Sequence, residues 1–193
     1  PRSDGAQWLK SFDLGYSSAP SREIYFLDPQ GNTCVTIAFE QPLNTLEIKS
    51  VCEVHTVRSN PFDYVNEPWA THFSVDYPVS LATPLSVSGN VGYFLMQLTQ
   101  QIPDMCQYQQ RLQGAPYAPG ITLQKKSGTC RDYAVLFVAL CRVCGLAARF
   151  VSGYQEGDLE KSAHDLHAWA EVYIPGGGWR GFDPTLGLAV GDR

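Results

Sequence analysis

The segment Cys130–Cys144 constrains this chain more than any other. Ala134, Leu136, Phe137, Val138, Leu140, Cys141 and Val143 spread apolar surface around most of a helical circumference, which predicts a largely buried helix. Thr129 is placed to cap its start and Gly145 to serve as its C′ residue. A helix buried on so many sides needs another layer to lie on, and the residues that follow supply one. Ala147–Tyr154 reads as a strand. His167–Ile174 alternates, with Ala168, Ala170, Val172 and Ile174 on one face and His167, Trp169, Glu171 and Tyr173 on the other. The small and aliphatic set is the core face, so the second set is free to line a cleft. Pro175-Gly176-Gly177-Gly178 is a turn and Trp179–Asp183 a third strand.

The preceding residues divide into two parts. Residues 1–77 read as β-rich. Arg22–Leu27 and Thr33–Phe39 flank the turn Asp28-Pro29-Gln30-Gly31-Asn32, and Leu46–Val57 alternates as a half-solvated strand, which suggests an antiparallel sheet or sandwich. Residues 58–83, with Pro61, Pro68, Pro78, Phe62, Tyr64, Trp69 and Phe73, read as a linker packed on the unit that follows it. Val91–Ile102 has helical apolar spacing and Pro103 is expected to end it. Tyr108–Thr122, with Gly114, Pro116, Pro119 and Gly120, reads as a loop.

Composition excludes some functions. The chain has 193 residues, 44% of them hydrophobic and 17% charged, enough to bury a core. Its net charge is −5, and Lys125-Lys126 is its longest basic run, so no nucleic-acid partner is indicated. No stretch is long and apolar enough to span a bilayer, and no membrane partner is expected. Six cysteines are too sparse for a disulfide scaffold and mostly lie beside aliphatic residues, which suits small, reduced, buried thiols in a cytoplasmic protein.

Cys130 is the exception. It opens the buried helix, where the macrodipole favours a thiolate and the first-turn N–H groups lack intrahelical acceptors. Gly128 would let the backbone pass close to a substrate. A thiol nucleophile needs a base, and His167 opens the alternating strand. Asp183, in the next strand, would orient it, but only in one register. If Ile174 pairs with Trp179, Asp183 falls opposite Ala170 on the wrong face. If Ile174 pairs with Gly178, Asp183 falls opposite Trp169 and diagonal to His167. A His–Asp pair therefore demands that register, or a bulge near Gly176–Gly178. Taken singly, each residue has a plainer explanation: a buried thiol, a strand-end histidine, and an Asp-Pro turn.

Four blocks in order resemble the bacterial transglutaminase-like superfamily: Ser127-Gly128-Thr129-Cys130-Arg131-Asp132-Tyr133-Ala134, Gly145–Tyr154, His167-Ala168-Trp169-Ala170-Glu171-Val172-Tyr173, and Gly178-Trp179-Arg180-Gly181-Phe182-Asp183-Pro184-Thr185. The match spans about Thr122 to Gly187. The resemblance implies an α+β, papain-like core in which a cysteine-bearing helix packs on an antiparallel sheet. It also implies a Cys130–His167–Asp183 triad and acyl transfer on a peptide or protein amide through a thioester. Residues 78–193 would be the catalytic domain. Residues 1–77 are similar to a β-rich region that often precedes it, and both regions are expected to be incomplete.

Gln124, six positions before Cys130, is a candidate oxyanion donor, and Trp169 and Tyr154 are candidate cleft residues, with Trp179 and Tyr173 possible further walls. Asp132 and Glu171 are expected to support the site or the fold. No cofactor or metal is called for. Cys141-x-x-Cys144 and His164-x-x-His167 have zinc-like spacing, but the two cysteines lie on the apolar helix. The competing functional reading is a binding domain that keeps the fold without the chemistry. The sequence leaves the choice between water and an amine as second nucleophile, and the oligomeric state, open.

Overall fold

The computed structural model describes residues 3, 5–28, 31–73, 88–154 and 166–191. The chain forms two compact units, residues 1–59 and residues 60–191. The expected boundary at 77/78 lies outside the described residues.

The first unit is built from two antiparallel ribbons. β1 (Gln7–Tyr16) pairs with β4 (Ile48–Thr56), and β2 (Arg22–Leu27) with β3 (Thr33–Ala38). The pairing is antiparallel, as expected, but it forms two separate two-stranded ribbons. The β2–β3 turn is held by Asp28, whose Oδ1 accepts the Asn32 N–H at 2.8 Å and whose Oδ2 accepts the Asn32 side-chain amide at 2.9 Å. Gly31 supplies the positive φ of 80° that the turn needs. β1 escaped the sequence reading because its pairing slips between Leu9 and Ser11. That bulge puts Leu9 and Leu14, five residues apart, out of the two-residue period used to find strands. β4 forms as expected but is exposed along its length except at Val54.

In the second unit, α1 (Val91–Met105) opens on Asn90, whose Oδ1 accepts the Tyr93 N–H at 2.9 Å. It buries Val91, Leu95, Leu98 and Ile102. Pro103 does not end it. In the last turn proline forfeits only one N–H bond, and the Cys106 N–H still reaches the Ile102 carbonyl at 3.0 Å. β5 (Gln107–Tyr108) and β6 (Ser127–Gly128) form a short parallel bridge. Between them lies α2 (Pro119–Lys125), part of which falls in the segment expected to be loop. The Pro119-Gly120 pair reads as a breaker, but proline in the first turn of a helix costs nothing and presets its φ.

α3 (Cys130–Val143) is the buried helix. Tyr133, Ala134, Leu136, Phe137 and Cys141 are at most 1% exposed, whereas Val143 is 48% exposed. Cys144 ends it and Gly145 follows with φ 81°. α3 packs on an antiparallel sheet ordered β10-β9-β8-β7, made from β7 (Ala148–Tyr154), β8 (Leu166–Ile174), β9 (Gly178–Asp183) and β10 (Leu188–Ala189). Ala168, Ala170, Val172 and Ile174 all face the core, none more than 3% exposed. Phe137 of α3 stacks on Phe182 of β9 with ring centroids 5.9 Å apart. Burying side chains of this size contributes about 1.5–3 kcal/mol each, which fixes the helix on the sheet. The result is the α+β arrangement expected.

The β8–β9 register is the one the His–Asp pair demands. Ile174 pairs with Gly178, Val172 with Arg180 and Ala170 with Phe182. The Gly177 N–H closes the turn on the Ile174 carbonyl at 2.8 Å, and Gly176 and Gly178 adopt φ of 82° and 72°. Gly176 is also needed for space: a Cβ there would lie 2.4 Å from the Val65 carbonyl oxygen.

Candidate active site

Asp132 shapes the loop that presents Cys130. Its Oδ2 accepts the Thr129 N–H at 2.7 Å and the Thr129 hydroxyl at 2.9 Å, which holds the N-cap on the first turn of α3. Burial pushes this carboxyl up, but the Thr129 and Tyr117 N–H groups, Arg111 and the Thr129 hydroxyl bring it below the usual carboxylate range. Behind the N-cap, β6 is pinned by the bridge to β5, with the Gln109 N–H on the Gly128 carbonyl at 2.8 Å. Gly128 is buried against the helix it precedes. A Cβ there would meet Asp132 Cβ at 2.8 Å and the Tyr133 ring at 3.2 Å. The missing side chain is therefore needed for packing against the first turn of α3. Gly128→Ala is expected to cost about 1–3 kcal/mol through overpacking, read as a lower urea midpoint. An unchanged midpoint would mean the turn shifts at no cost.

Cys130 is half-buried at the first position of α3. Burial pushes its thiol up, but four influences outweigh it. The hydrogen bond from His167, the charge of His167, and the Ala168 and Arg131 N–H groups aimed at sulfur together hold the thiol below its usual range. His167 lies on β8 opposite Gly153. Its Nε2 is 2.6 Å from Asp183 Oδ2, which leaves Nδ1 to face the thiol. The imidazole pKa is pushed up to about 9, first by the bond to Asp183 and then by the bond to Cys130, against the opposing effect of partial burial. Asp183 ends β9 and is 3% exposed. Its Oδ1 accepts the Thr185 N–H at 2.8 Å and the Leu186 N–H at 3.3 Å, so the turn after β9 fixes the carboxylate.

The structure thus brings Cys130, His167 and Asp183 into one hydrogen-bonded series. Of the cleft candidates, Trp169 lies beside His167, with ring centroids 6.3 Å apart at 31°. Its indole lies over Gly153 on β7, where an added Cβ would come within 2.6 Å of the ring. Gly153 is thus a seat for the indole that strand patterning did not reveal, whereas the space at Gly181 is taken up by Val190, whose Cβ would lie 2.7 Å from an added Cβ. Tyr154 stands 69% exposed beside Gly153. Tyr173 and Trp179 pack on each other at 5.5 Å, and Arg149 stacks on Trp179 at 4.0 Å. Tyr173 is about 20 Å along β8 from His167, too far to share a cleft wall with it.

Gln124 is exposed in the last turn of α2. Glu171 pairs with Arg149 at 2.8 Å. Cys141 is buried in the core, with its thiol pushed up by burial and by nearby Cys144. His164 lies outside the described residues. Among the described residues no three His, Cys, Asp or Glu side chains converge as a metal site, and no helix is long and apolar enough to cross a membrane. Sequence reasoning missed Arg111 and Tyr117, which reach Asp132 from a loop with no periodicity to announce them.

A crystal structure of a candidate cysteine protease from Cytophaga hutchinsonii superposes with a TM-score of 0.64 at 21% identity, covering 98% of this chain and 71% of that one. That similarity shows the shared fold. A protein-glutamine gamma-glutamyltransferase of Pseudomonas aeruginosa is 35% identical over 83 residues, which are 39% of this chain and 12% of that enzyme. An uncharacterised protein of Mycobacterium bovis is 27% identical along the whole chain, which spans 73% of it. The transglutaminase-like superfamily itself matches residues 82–184, more than half of the sequence and all three of the residues just described. The chain belongs to the transglutaminase-like superfamily.

Proposed function

We propose that this chain catalyses cysteine-dependent acyl transfer on amide bonds of peptides or proteins, with residues 78–193 carrying the reaction. The observation that supports this most is the continuous series Cys130–His167–Asp183, in which the thiol is held low and the imidazole high. In this reading the Cys130 thiolate attacks the amide carbonyl carbon. The carbonyl electrons move onto oxygen, which the Cys130 N–H and the Gln124 side chain stabilise. His167 gives its Nδ1 proton to the departing amine, the C–N bond breaks, and a thioester remains. His167 then takes a proton from the second nucleophile, which attacks the thioester and releases the thiolate. Asp183 holds the imidazole in place throughout. Water as the second nucleophile makes the chain a protease or amidase and is the default, since water is always present. An amine makes it a transglutaminase. The six free thiols are consistent with a reducing, cytoplasmic setting.

Iodoacetamide labelling across a pH series tests the core of this reading, with the alkylated cysteine mapped by mass spectrometry. Cys130 is expected to label fast well below about pH 8 and at least tenfold more slowly in His167→Ala, roughly the effect of losing the paired imidazolium. Labelling no faster than that of a free thiol, and indifferent to His167, would favour a binding domain that keeps the fold without the chemistry.

A further inference from the structure

Residues 109–118 form an extended strap between β5 and α2 in which no residue is fully buried. Leu112 is 84% exposed. Tyr117 packs its ring between Arg111 at 4.2 Å and Lys125 at 4.5 Å, but a segment of this length with no fully buried apolar residue is ordinarily mobile. This one is instead fastened by polar bonds to the start of α3. The Gln109 N–H donates to the Gly128 carbonyl at 2.8 Å, and the Tyr117 N–H donates to Asp132 Oδ1 at 2.7 Å, so both ends are pinned. Between them, Arg131 Nη2 donates to the Arg111 carbonyl at 2.6 Å and to the Gln113 carbonyl at 3.0 Å, gripping the backbone on either side of Leu112. Arg111 closes the strap on itself through the Gln113 and Ala115 carbonyls and ties it to Asp132 at 2.7 Å. The residues that hold it, Gly128, Arg131 and Asp132, flank Cys130 within two positions on either side. The core gains little from the strap, since none of its residues is fully buried, while two guanidinium groups and a buried carboxylate are committed to its placement.

We propose that residues 109–118 are a fixed wall of the substrate cleft beside Cys130, with Leu112 as its apolar contact for a side chain of the acyl donor and Arg131 as the positioning residue that holds it there. This rests on the acyl-transfer reading of the site. Arg131 acts through the strap: its side chain bonds carbonyls of the strap, not the reacting atoms. Asp132 belongs to the same clasp, but it also caps α3, so it is the poorer test.

The experiment compares two thiol-directed probes on the full chain. Iodoacetamide reads the nucleophile alone. Benzyloxycarbonyl-leucyl chloromethyl ketone also requires a seated side chain. In the wild type the leucyl probe is expected to label Cys130 preferentially. The ratio of leucyl-probe to iodoacetamide rates should fall about tenfold in Arg131→Ala, as a small displacement of a substrate-positioning segment costs. It should fall severalfold in Leu112→Ala and recover only in part in Arg131→Lys, whose shorter ammonium can replace at most one of the two carbonyl bonds. A ratio unmoved in both alanine variants would overturn the proposal, as would equal loss with both probes, which would place the effect on the nucleophile. Slow iodoacetamide labelling of the wild type would instead remove the acyl-transfer reading itself, a result distinct from an unmoved ratio on a reactive Cys130.

Discussion

Asp183→Ala is expected to reduce turnover of p-nitrophenyl acetate about a thousandfold while leaving Cys130 in place. Asp183 does two things in the structure. Its Oδ2 accepts from His167 Nε2 at 2.6 Å, and its Oδ1 is held by the N–H groups of Thr185 and Leu186. Alanine frees the imidazole to rotate away from the thiol and withdraws the charge that keeps it protonated. Asp183→Asn separates these effects. Its amide oxygen still accepts from Nε2, so orientation survives, and the loss should be about tenfold, the scale of one weakened charge-assisted bond. The pH profile carries the sign of the charge. The productive pair needs sulfur deprotonated, above its lowered pKa, and His167 protonated, below about 9. Activity should therefore fall on the alkaline side near that value in the wild type. In Asp183→Asn that limb should move to lower pH, since the hydrogen bond to Asp183 is the largest cause of the elevation. Turnover within a few-fold of wild type in Asp183→Ala, with the variant folded by circular dichroism, would remove Asp183 from the chemistry.

The residues of this series were legible because each lies in a patterned element. α3 announces itself through apolar residues spread around its surface, and β8 through a strict alternation that separates Ala168, Ala170, Val172 and Ile174 from His167 and Trp169. The pairing of Ile174 with Gly178 followed from asking which register lets His167 meet Asp183, because a one-residue slip would carry the carboxylate to the opposite face. What pattern could not supply was contact made by irregular chain. Arg111 meets Asp132 across 21 residues of sequence, through a strap whose composition only says loop. α2 hides behind Pro119-Gly120, which local chemistry reads as a break, and β1 behind a bulge that shifts its period. Gly128 shows a subtler limit. A glycine just before Cys130 invites a substrate-side explanation and gives no local sign of the packing one, the room that its missing side chain makes for the Asp132 and Tyr133 side chains.

Asp132→Ala is expected to lower the stability of the chain by about 3–5 kcal/mol, the usual cost of removing one partner from a buried, hydrogen-bonded charge pair. Asp132 is fully buried, and each carboxylate oxygen accepts two bonds, from Arg111 and the Tyr117 N–H on one side and from the Thr129 N–H and hydroxyl on the other. Alanine leaves the Arg111 guanidinium without its counter-charge and two backbone donors without an acceptor, each of the latter worth about 1–3 kcal/mol if left dry. Urea unfolding should show a lower midpoint with an unchanged slope. Its pH dependence distinguishes charge from packing. The folded carboxyl lies below its unfolded value, so its contribution is fully present above about pH 4 and is lost as pH falls through the depressed folded value. The gap between wild type and variant should therefore be widest near neutrality and close in acid. A gap that stays constant down to acid pH would assign the loss to the cavity left by the side chain. A gap that closes would identify the carboxylate charge as what binds the strap, the N-cap and the start of the Cys130 helix into one rigid piece.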